Sequence, residues 1–272
     1  MSEWTGELRL EMSGKQGKTV PSSVYFRGAL KVMRPLYLDN SGQACYIVIN
    51  PGGGYVDQDK YKMDVVLKDG SELLLTTQAA TKVYRTPTKT VYQENFFELH
   101  DDSLLEYKPE PLIAYRDASY YQKSVIRMST KAMLLYEDMI TPGWSDNDQL
   151  FPYRNIRMKT EIYVDGKLVV LDHLSLIPKM QYMKNTGFLE GYTHLGTLFM
   201  INKKVENKTE ELMEILDRYH ETCRIGFSRL NTQGVIVRVF GNETKDIKTV
   251  FHDCTVWLKK LLNRGSIDLR KY

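Results

Sequence analysis

The chain has 272 residues, 42% of them apolar and 26% charged, the composition of a folded protein with material for one large domain or two modest ones. Its 37 basic and 34 acidic residues are interspersed and leave a net charge of +3. That balance argues against a dedicated nucleic-acid binder and against a charged tail. No run approaches 18 consecutive apolar residues, so a membrane-spanning helix is not expected. The start, Met1-Ser2-Glu3-Trp4-Thr5-Gly6, lacks the basic and then apolar pattern of a secretion signal. Three cysteines, Cys45, Cys223 and Cys254, are too few and odd in number for a disulfide framework, and reduced thiols in the cytoplasm are the expectation.

From residue 5 to about 190, short apolar or alternating runs recur between turn residues. Leu8-Arg9-Leu10-Glu11-Met12 alternates with period two, as a half-buried strand does. Tyr46-Ile47-Val48-Ile49 stops at Asn50-Pro51-Gly52-Gly53-Gly54. Val65 to Leu67 and Leu73 to Leu75 flank Asp69-Gly70, and Ile162 to Val164 and Leu168 to Val170 flank Asp165-Gly166. Asp-Gly between apolar runs predicts a hairpin at both places, because both central residues tolerate positive φ. Ser119 to Met128 and Ala132 to Ile140 predict two further strands, and Tyr115, Tyr120 and Tyr121 suit half-buried pleated surfaces. Periodicity alone leaves sandwich, barrel and solenoid open.

The last third reads differently. Residues 209 to 221 place Leu212, Ile215, Leu216 and Tyr219 on one helical face, with Asn207 and Glu210 positioned as a capping box. Residues 243 to 262 repeat Ile247, Val250, Phe251, Cys254, Leu258 and Leu261 with the 3.6-residue period, behind Asn242 as N-cap. Between them, Gly226 to Leu230 and Val235 to Phe240 predict a hairpin around Asn231-Thr232-Gln233-Gly234. The expected architecture is therefore mainly β with a few α-helices. It is a large stacked-sheet body, solenoid- or sandwich-like, over 1–190, with a strand-helix-hairpin-helix segment over 191–272 packed on it as one unit.

No nucleophile elbow, phosphate loop or His-Glu-x-x-His pair is present. Gly52-Gly53-Gly54 does not open a helix and is followed by acids, which suits a constrained turn better than a phosphate cradle. Asp57 and Asp59 at i and i+2 could offer two carboxylates to a cation, or satisfy the N–H groups of a tight turn. Asp146-Asn147-Asp148 lacks the glycine and distal glutamate of a calcium loop. The five histidines, His100, His173, His194, His220 and His252, form no cluster with ligand spacing, so a tight structural zinc site is not encoded. Thr76-Thr77-Gln78 with Thr81-Lys82 reads as a hydrogen-bonding strand end, since no base stands beside either threonine. If the chain were an enzyme, a metal-assisted hydrolase with Asp57, Asp59 and His100 as ligands would be the alternative.

The order of blocks carries more than any single motif. Thr5-Gly6-Glu7-Leu8, then Asn50-Pro51-Gly52-Gly53-Gly54-Tyr55-Val56-Asp57-Gln58-Asp59, then Thr76-Thr77-Gln78-Ala79-Ala80-Thr81-Lys82-Val83-Tyr84-Arg85, resembles the UreD (UreH) family of urease accessory proteins. Leu104-Leu105-Glu106-Tyr107-Lys108-Pro109-Glu110-Pro111-Leu112-Ile113, Ala118 and Met139-Ile140-Thr141-Pro142-Gly143 leading to Phe151 continue the resemblance to about residue 155. Two positions depart from it: Gln58 stands where the family often has glycine, and Trp144 where arginine is frequent. The resemblance implies a mainly β protein without turnover chemistry. It also implies binding to apo-urease and to UreF-like and UreG-like accessory proteins, and assistance in passing nickel toward the carbamylated-lysine site of urease. No tightly bound cofactor is implied, only transient nickel. The residues it singles out are Gly53, Gly54, Asp57, Asp59, Thr77, Lys82, Tyr84, Arg85 and Glu106, as turn formers, passage lining or partner contacts. The 18 tyrosines and 12 methionines suit a partner-binding surface, and equally ordinary core packing.

Overall fold

The structure, a computed structural model, describes residues 4–206, 208–231 and 233–265. In chain order the strands begin with β1 (Gly6–Lys15), β2 (Lys18–Gly28), β3 (Lys31–Val32), β4 (Ala44–Ile49), β5 (Lys60–Leu67) and β6 (Glu72–Thr77). They continue with β7 (Thr81–Val83), β8 (Val91–Leu99), β9 (Leu104–Lys108), β10 (Leu112–Ala114), β11 (Ser119–Met128) and β12 (Met133–Ile140). The remainder is β13 (Asn155–Val164), β14 (Lys167–Leu176), β15 (His194–Ile201), α1 (Lys203–Glu206), α2 (Thr209–Asp217), β16 (Arg224–Arg229), β17 (Gly234–Gly241) and α3 (Thr244–Leu261). None of these helices is long and apolar enough to cross a membrane.

From β4 to β13, leaving aside β7 and β10, successive strands alternate between two sheets. One has the order β14-β13-β11-β8-β5-β1-β2, and the other runs β16-β17-β15-β12-β9-β6-β4-β3. Each circuit of the chain adds one parallel strand to each sheet, and β7 and β10 form a short parallel ribbon that joins the larger sheet at β12. The result is a solenoid, closed at its ends by antiparallel strands. Leu10, Val65, Phe97, Ile126, Ile162 and Val170 lie side by side across the first sheet. Ala44, Leu73, Leu105, Leu134 and Ile201 do the same in the second. All are buried, at roughly 1.5–3 kcal/mol for each large side chain removed from water. The period of two seen in the sequence is the alternation between this core and the outside.

A second core lies on the outer face of the larger sheet. There α2 and α3 place Leu212, Leu216, Ile247, Val250, Phe251 and Leu258 against Val235, Val237, Val239, Leu198 and Met200. Gly196 makes the close approach possible, because a Cβ there would lie 2.4 Å from Ile247 Cγ2 and 2.7 Å from Phe251 Cζ.

Three local expectations need correction. Asp165-Gly166 is a hairpin turn, with φ of 47° and 78° joining antiparallel β13 and β14. Asp69-Gly70 is not: only Gly70 has positive φ, and β5 and β6 belong to different sheets. Stacking decided the outcome, since the Gly70 N–H donates to the Asp101 carbonyl and the Asp101 N–H to Asp69 Oδ1, one corner capping the next. Helix α3 is preceded by Glu243 as N-cap, without a side-chain cap bond, rather than by Asn242. Helix α2 ends at Asp217, short of 221, and follows Lys208; of its expected capping box, Asn207 lies outside the described residues. The hairpin of β16 and β17 forms as expected, although Thr232 of its turn also lies outside them.

Candidate functional site

The glycine-rich turn after β4 is clamped onto the β7 ribbon. Gly53 adopts φ of 74°, and a Cβ on Gly54 would lie 2.6 Å from the Tyr84 ring and 2.9 Å from the Lys82 carbonyl oxygen. That proximity lets the Tyr55 N–H donate to Lys82 O and the Tyr84 N–H donate to Tyr55 O. Gly53, Gly54, Lys82 and Tyr84 are thus brought together. Gln58, at the position where glycine is frequent in the resemblance, has φ of 71°, which explains the preference for glycine there.

The two aspartates of this turn diverge. Asp57 faces outward and accepts the Thr88 hydroxyl and the N–H groups of Thr88 and Lys89, and these bonds hold its carboxyl down to about 2. Asp59 faces inward and accepts the Val56 N–H and the Tyr61 hydroxyl, each at 2.8 Å. Each serves the turn, and they do not share a ligand position.

Inside that turn, between the sheets, lies a polar network that no motif in the sequence indicates. Tyr55 and Tyr61 stack with ring centres 3.7 Å apart. The Tyr55 hydroxyl donates to Gln93 Oε1 at 3.1 Å, and Gln93 Nε2 donates to Asn95 Oδ1, whose amide reaches Ser124 Oγ at 3.1 Å. Tyr120 bonds both Gln93 and Gln122, and Gln122 Nε2 donates to the Asp138 carboxylate at 3.2 Å and 3.3 Å. Gln93 and Gln122 are register partners on β8 and β11, as are Asn95 and Ser124, so successive coils repeat the polar positions. The signal in the sequence was a polar residue at an inward position of an alternating strand, in Gln93, Asn95, Gln122 and Ser124.

Asp138 borders two small cavities. One of about 40 Å³ also meets Tyr55, Gln93, Tyr107, Tyr120, Thr77 and Glu110. The other, about 20 Å³, also meets Thr160, Asp172 and Thr197. Burial raises the Asp138 carboxyl to about 7, against bonds from Tyr136 and Gln122 that favour its charged form, and the charge of Asp172 adds to the rise. Burial also pushes the hydroxyls of Tyr55, Tyr107, Tyr120 and Tyr136 upward, so they remain donors.

The other singled-out residues are dispersed. Thr77 borders the first cavity, and its hydroxyl accepts the Glu110 N–H at 2.9 Å. Arg85 is exposed, 3.8 Å from Asp117. Trp144 lies half exposed against Tyr115, which in turn packs on Tyr84. Glu106 is 2% exposed beneath α3, where Lys259 at 2.9 Å, Lys108 at 3.5 Å and the Gln43 amide surround it. Its own burial works to raise its pKa, and the two lysines outweigh that and hold it below the usual value. His100 follows the end of β8, 3.2 Å from Glu98, whereas Asp57 and Asp59 precede the start of β5. These strands are parallel and paired from Lys60–Tyr92 to Leu67–Leu99, so the three residues stand a full strand apart, roughly 20 Å. The described residues contain no group of three or more His, Cys, Asp or Glu side chains placed to hold a metal ion. What the interior offers is a row of hydrogen-bonded side-chain oxygens and amides from Tyr55 to Asp138.

The comparisons agree on one family. A family model described as UreD urease accessory protein matches residues 5–271. A urease accessory protein UreD of Lachnoclostridium phytofermentans is 39% identical, with the whole of both chains aligned. Its namesake in an Arthrobacter species is 38% identical over 98% of this chain and 94% of its own. The protein of that name in Staphylococcus aureus is 35% identical over 99% of each.

Proposed function

The chain belongs to the UreD urease accessory protein family, and from that premise we infer that it is a cytoplasmic, non-catalytic scaffold for nickel delivery. It binds apo-urease together with UreF-like and UreG-like partners, and the ion moves through weak oxygen contacts rather than resting in a cage. The observation that carries this reading is the row from Tyr55 through Gln93 and Gln122 to Asp138, with a cavity on either side of the Asp138 carboxylate. Such single ligands suit transfer, since a closed site of four strong ligands would retain the ion. A proton on Asp138 near neutral pH gives way when a cation arrives, because only the deprotonated carboxylate is a ligand.

In this reading Gly53, Gly54, Asp57, Asp59, Lys82 and Tyr84 form the corner that holds Tyr55, the member of the turn that borders the interior cavity. The hydrolase alternative has no comparable support, because its ligands Asp57, Asp59 and His100 stand at opposite strand ends.

The test is a deletion strain complemented with the wild-type chain or with Asp138→Ala. Partner capture and urease activation at limiting nickel are both measured. The reading predicts that the variant still co-purifies with apo-urease and the UreF-like and UreG-like proteins while activation drops several-fold. Normal activation in the variant would remove the interior route. Failure of the wild-type chain to capture any of these proteins would remove the scaffold itself.

A further inference from the structure

At the N-terminal end of the solenoid one sheet outruns the other. Val24 and Phe26 of β2 stand directly across from Leu10 and Leu8, two buried members of the interior face, so that face continues onto β2. Among the described residues the larger sheet has no full strand to cover it. Past β4 it offers only the two-residue β3 and the bridge from Leu36 to Cys45. Val24, Phe26, Leu36, Tyr37 and Leu38 are accordingly 38% to 48% exposed, and Met33 is 74% exposed. The Tyr37 hydroxyl donates to the Thr19 carbonyl at 2.8 Å and the Thr19 N–H to the Gly42 carbonyl at 2.9 Å, which ties the two sheet edges together. Terminal coils of a solenoid that face water carry a polar outer face. Apolar side chains gathered at such an end mark a contact surface.

The charge of this end has one sign. Met12 to Leu38 contain five basic residues, Lys15, Lys18, Arg27, Lys31 and Arg34, and no acidic one, in a chain that is otherwise nearly balanced. Arg27 is held by Glu7 at 3.2 Å, and Lys18 lies 5.4 Å from the centre of the Tyr37 ring. Lys31 and Arg34 are exposed and have no carboxylate partner among the described residues. The acids next in sequence on either side are engaged. Glu11 pairs with Lys68 at 3.4 Å, and Asp39 accepts the Ser41 N–H at 2.9 Å and stands in the field of Lys259 and Arg264.

We propose that this end of the solenoid is the docking surface for one partner protein of the scaffold, whose contact patch is apolar at its centre and carries carboxylates at its rim. The apolar centre covers Val24, Phe26, Met33 and Leu36, and the carboxylates meet Lys31 and Arg34, whose charges nothing else in the described chain answers. The contact is made by side chains, since Pro21 and the register shift at Glu11/Met12 obstruct the addition of a strand to β2. A second copy of this chain is the poorer occupant, because two such ends brought together face cation to cation. A bilayer is poorer as well: five of the six apolar side chains lie about half covered in the surface instead of projecting from it. The proposal rests on the scaffold reading and adds to it which surface a partner covers and with what chemistry.

The experiment uses the full chain, free and mixed with apo-urease, the UreF-like protein or the UreG-like protein, and reads Met33 oxidation by hydroxyl radicals with mass spectrometry. The expected result is ready oxidation of Met33 in the free chain and at least tenfold protection in one of the complexes. The double variant Lys31→Glu with Arg34→Glu is expected to weaken that same partner tenfold or more and to leave the others unchanged. Circular dichroism and melting establish that it folds, and Arg34→Glu serves alone if the pair does not. Capture of partners with Met33 as reactive as in the free chain, or undiminished binding of every partner by the charge-reversed variant, would overturn the proposal while leaving the scaffold reading in place. Capture of no partner by the wild-type chain would remove both. Met33 already protected in the free chain, protected only as the chain self-associates, or protected by phosphatidylserine vesicles and by no protein, would each overturn the proposal too.

Discussion

The Lys259 ammonium lies 2.9 Å from the Glu106 carboxylate, and both side chains are almost wholly buried between α3 and the sheet. A residue that the family resemblance marks as functional is thus the anchor of the C-terminal helix. Lys108 continues the cluster to Glu137 at 3.6 Å and to the Thr255 hydroxyl at 3.0 Å. Breaking such a pair leaves an uncompensated buried charge, which is worse than never having had one.

Glu106→Gln and Lys259→Met are therefore each expected to destabilise the chain by roughly 3–5 kcal/mol. Combined, they should cost less than the sum of the two single changes, since the orphaned charge disappears. Urea unfolding of the three variants checks this, and strict additivity would show that the two groups do not interact.

Asp138 makes stability depend on pH in a direction opposite to most carboxylates. Its folded value, about 7, lies above the unfolded value of 3.8, so between these limits the folded chain binds more protons than the unfolded one. Its contribution is full below pH 3.8 and is lost as pH rises through 7. Asp138→Asn removes the titration and keeps the polar shape. Its melting temperature, relative to wild type, should climb from acid to neutral pH by the equivalent of about 4 kcal/mol at most, and a flat difference across that range would refute the assignment.

At the glycine-rich turn two neighbouring substitutions should differ. Gly53→Ala meets open space and only the cost of a positive φ, about 1 kcal/mol. Gly54→Ala drives a methyl group toward the Lys82 carbonyl and the Tyr84 ring, and about 1–3 kcal/mol of overpacking is expected, with the turn displaced from β7. Thermal melts rank the two; the reverse ranking would mean that the turn is not clamped.

Gly196→Ala tests the second core. Its methyl group would enter the space of Ile247 and Phe251, so α3 must shift, at about 1–3 kcal/mol. Trp257, buried on the same helix, reports the shift by its fluorescence.

Much of the fold was legible residue by residue. The alternation in Leu8 to Met12 and Ser119 to Met128 specified strands with one buried face. The 3.6-residue repeat from Ile247 to Leu261 specified a helix with one buried stripe. Asp165-Gly166 was legible as a hairpin because both φ angles are set locally. Asp69-Gly70 looks the same in one dimension, and a bond from the next coil gives it another shape.

The candidate residues divide along the same line. The corner of Gly53, Gly54, Lys82 and Tyr84 was singled out by the family resemblance, and the structure brings its four residues together. Gln93, Asn95, Gln122 and Ser124 were not singled out, because a polar residue on a strand says nothing of which coil will lie beside it. By itself, then, the sequence determined the most strongly patterned elements and which face of each is buried, since those depend on periods of two and 3.6 within a single segment. Only the tertiary structure decided that the strands stack in parallel circuits and that Asp138 meets Gln122. It also placed Glu106 beneath Lys259, because those neighbours come from segments far apart in the chain, brought together by the register of the sheets.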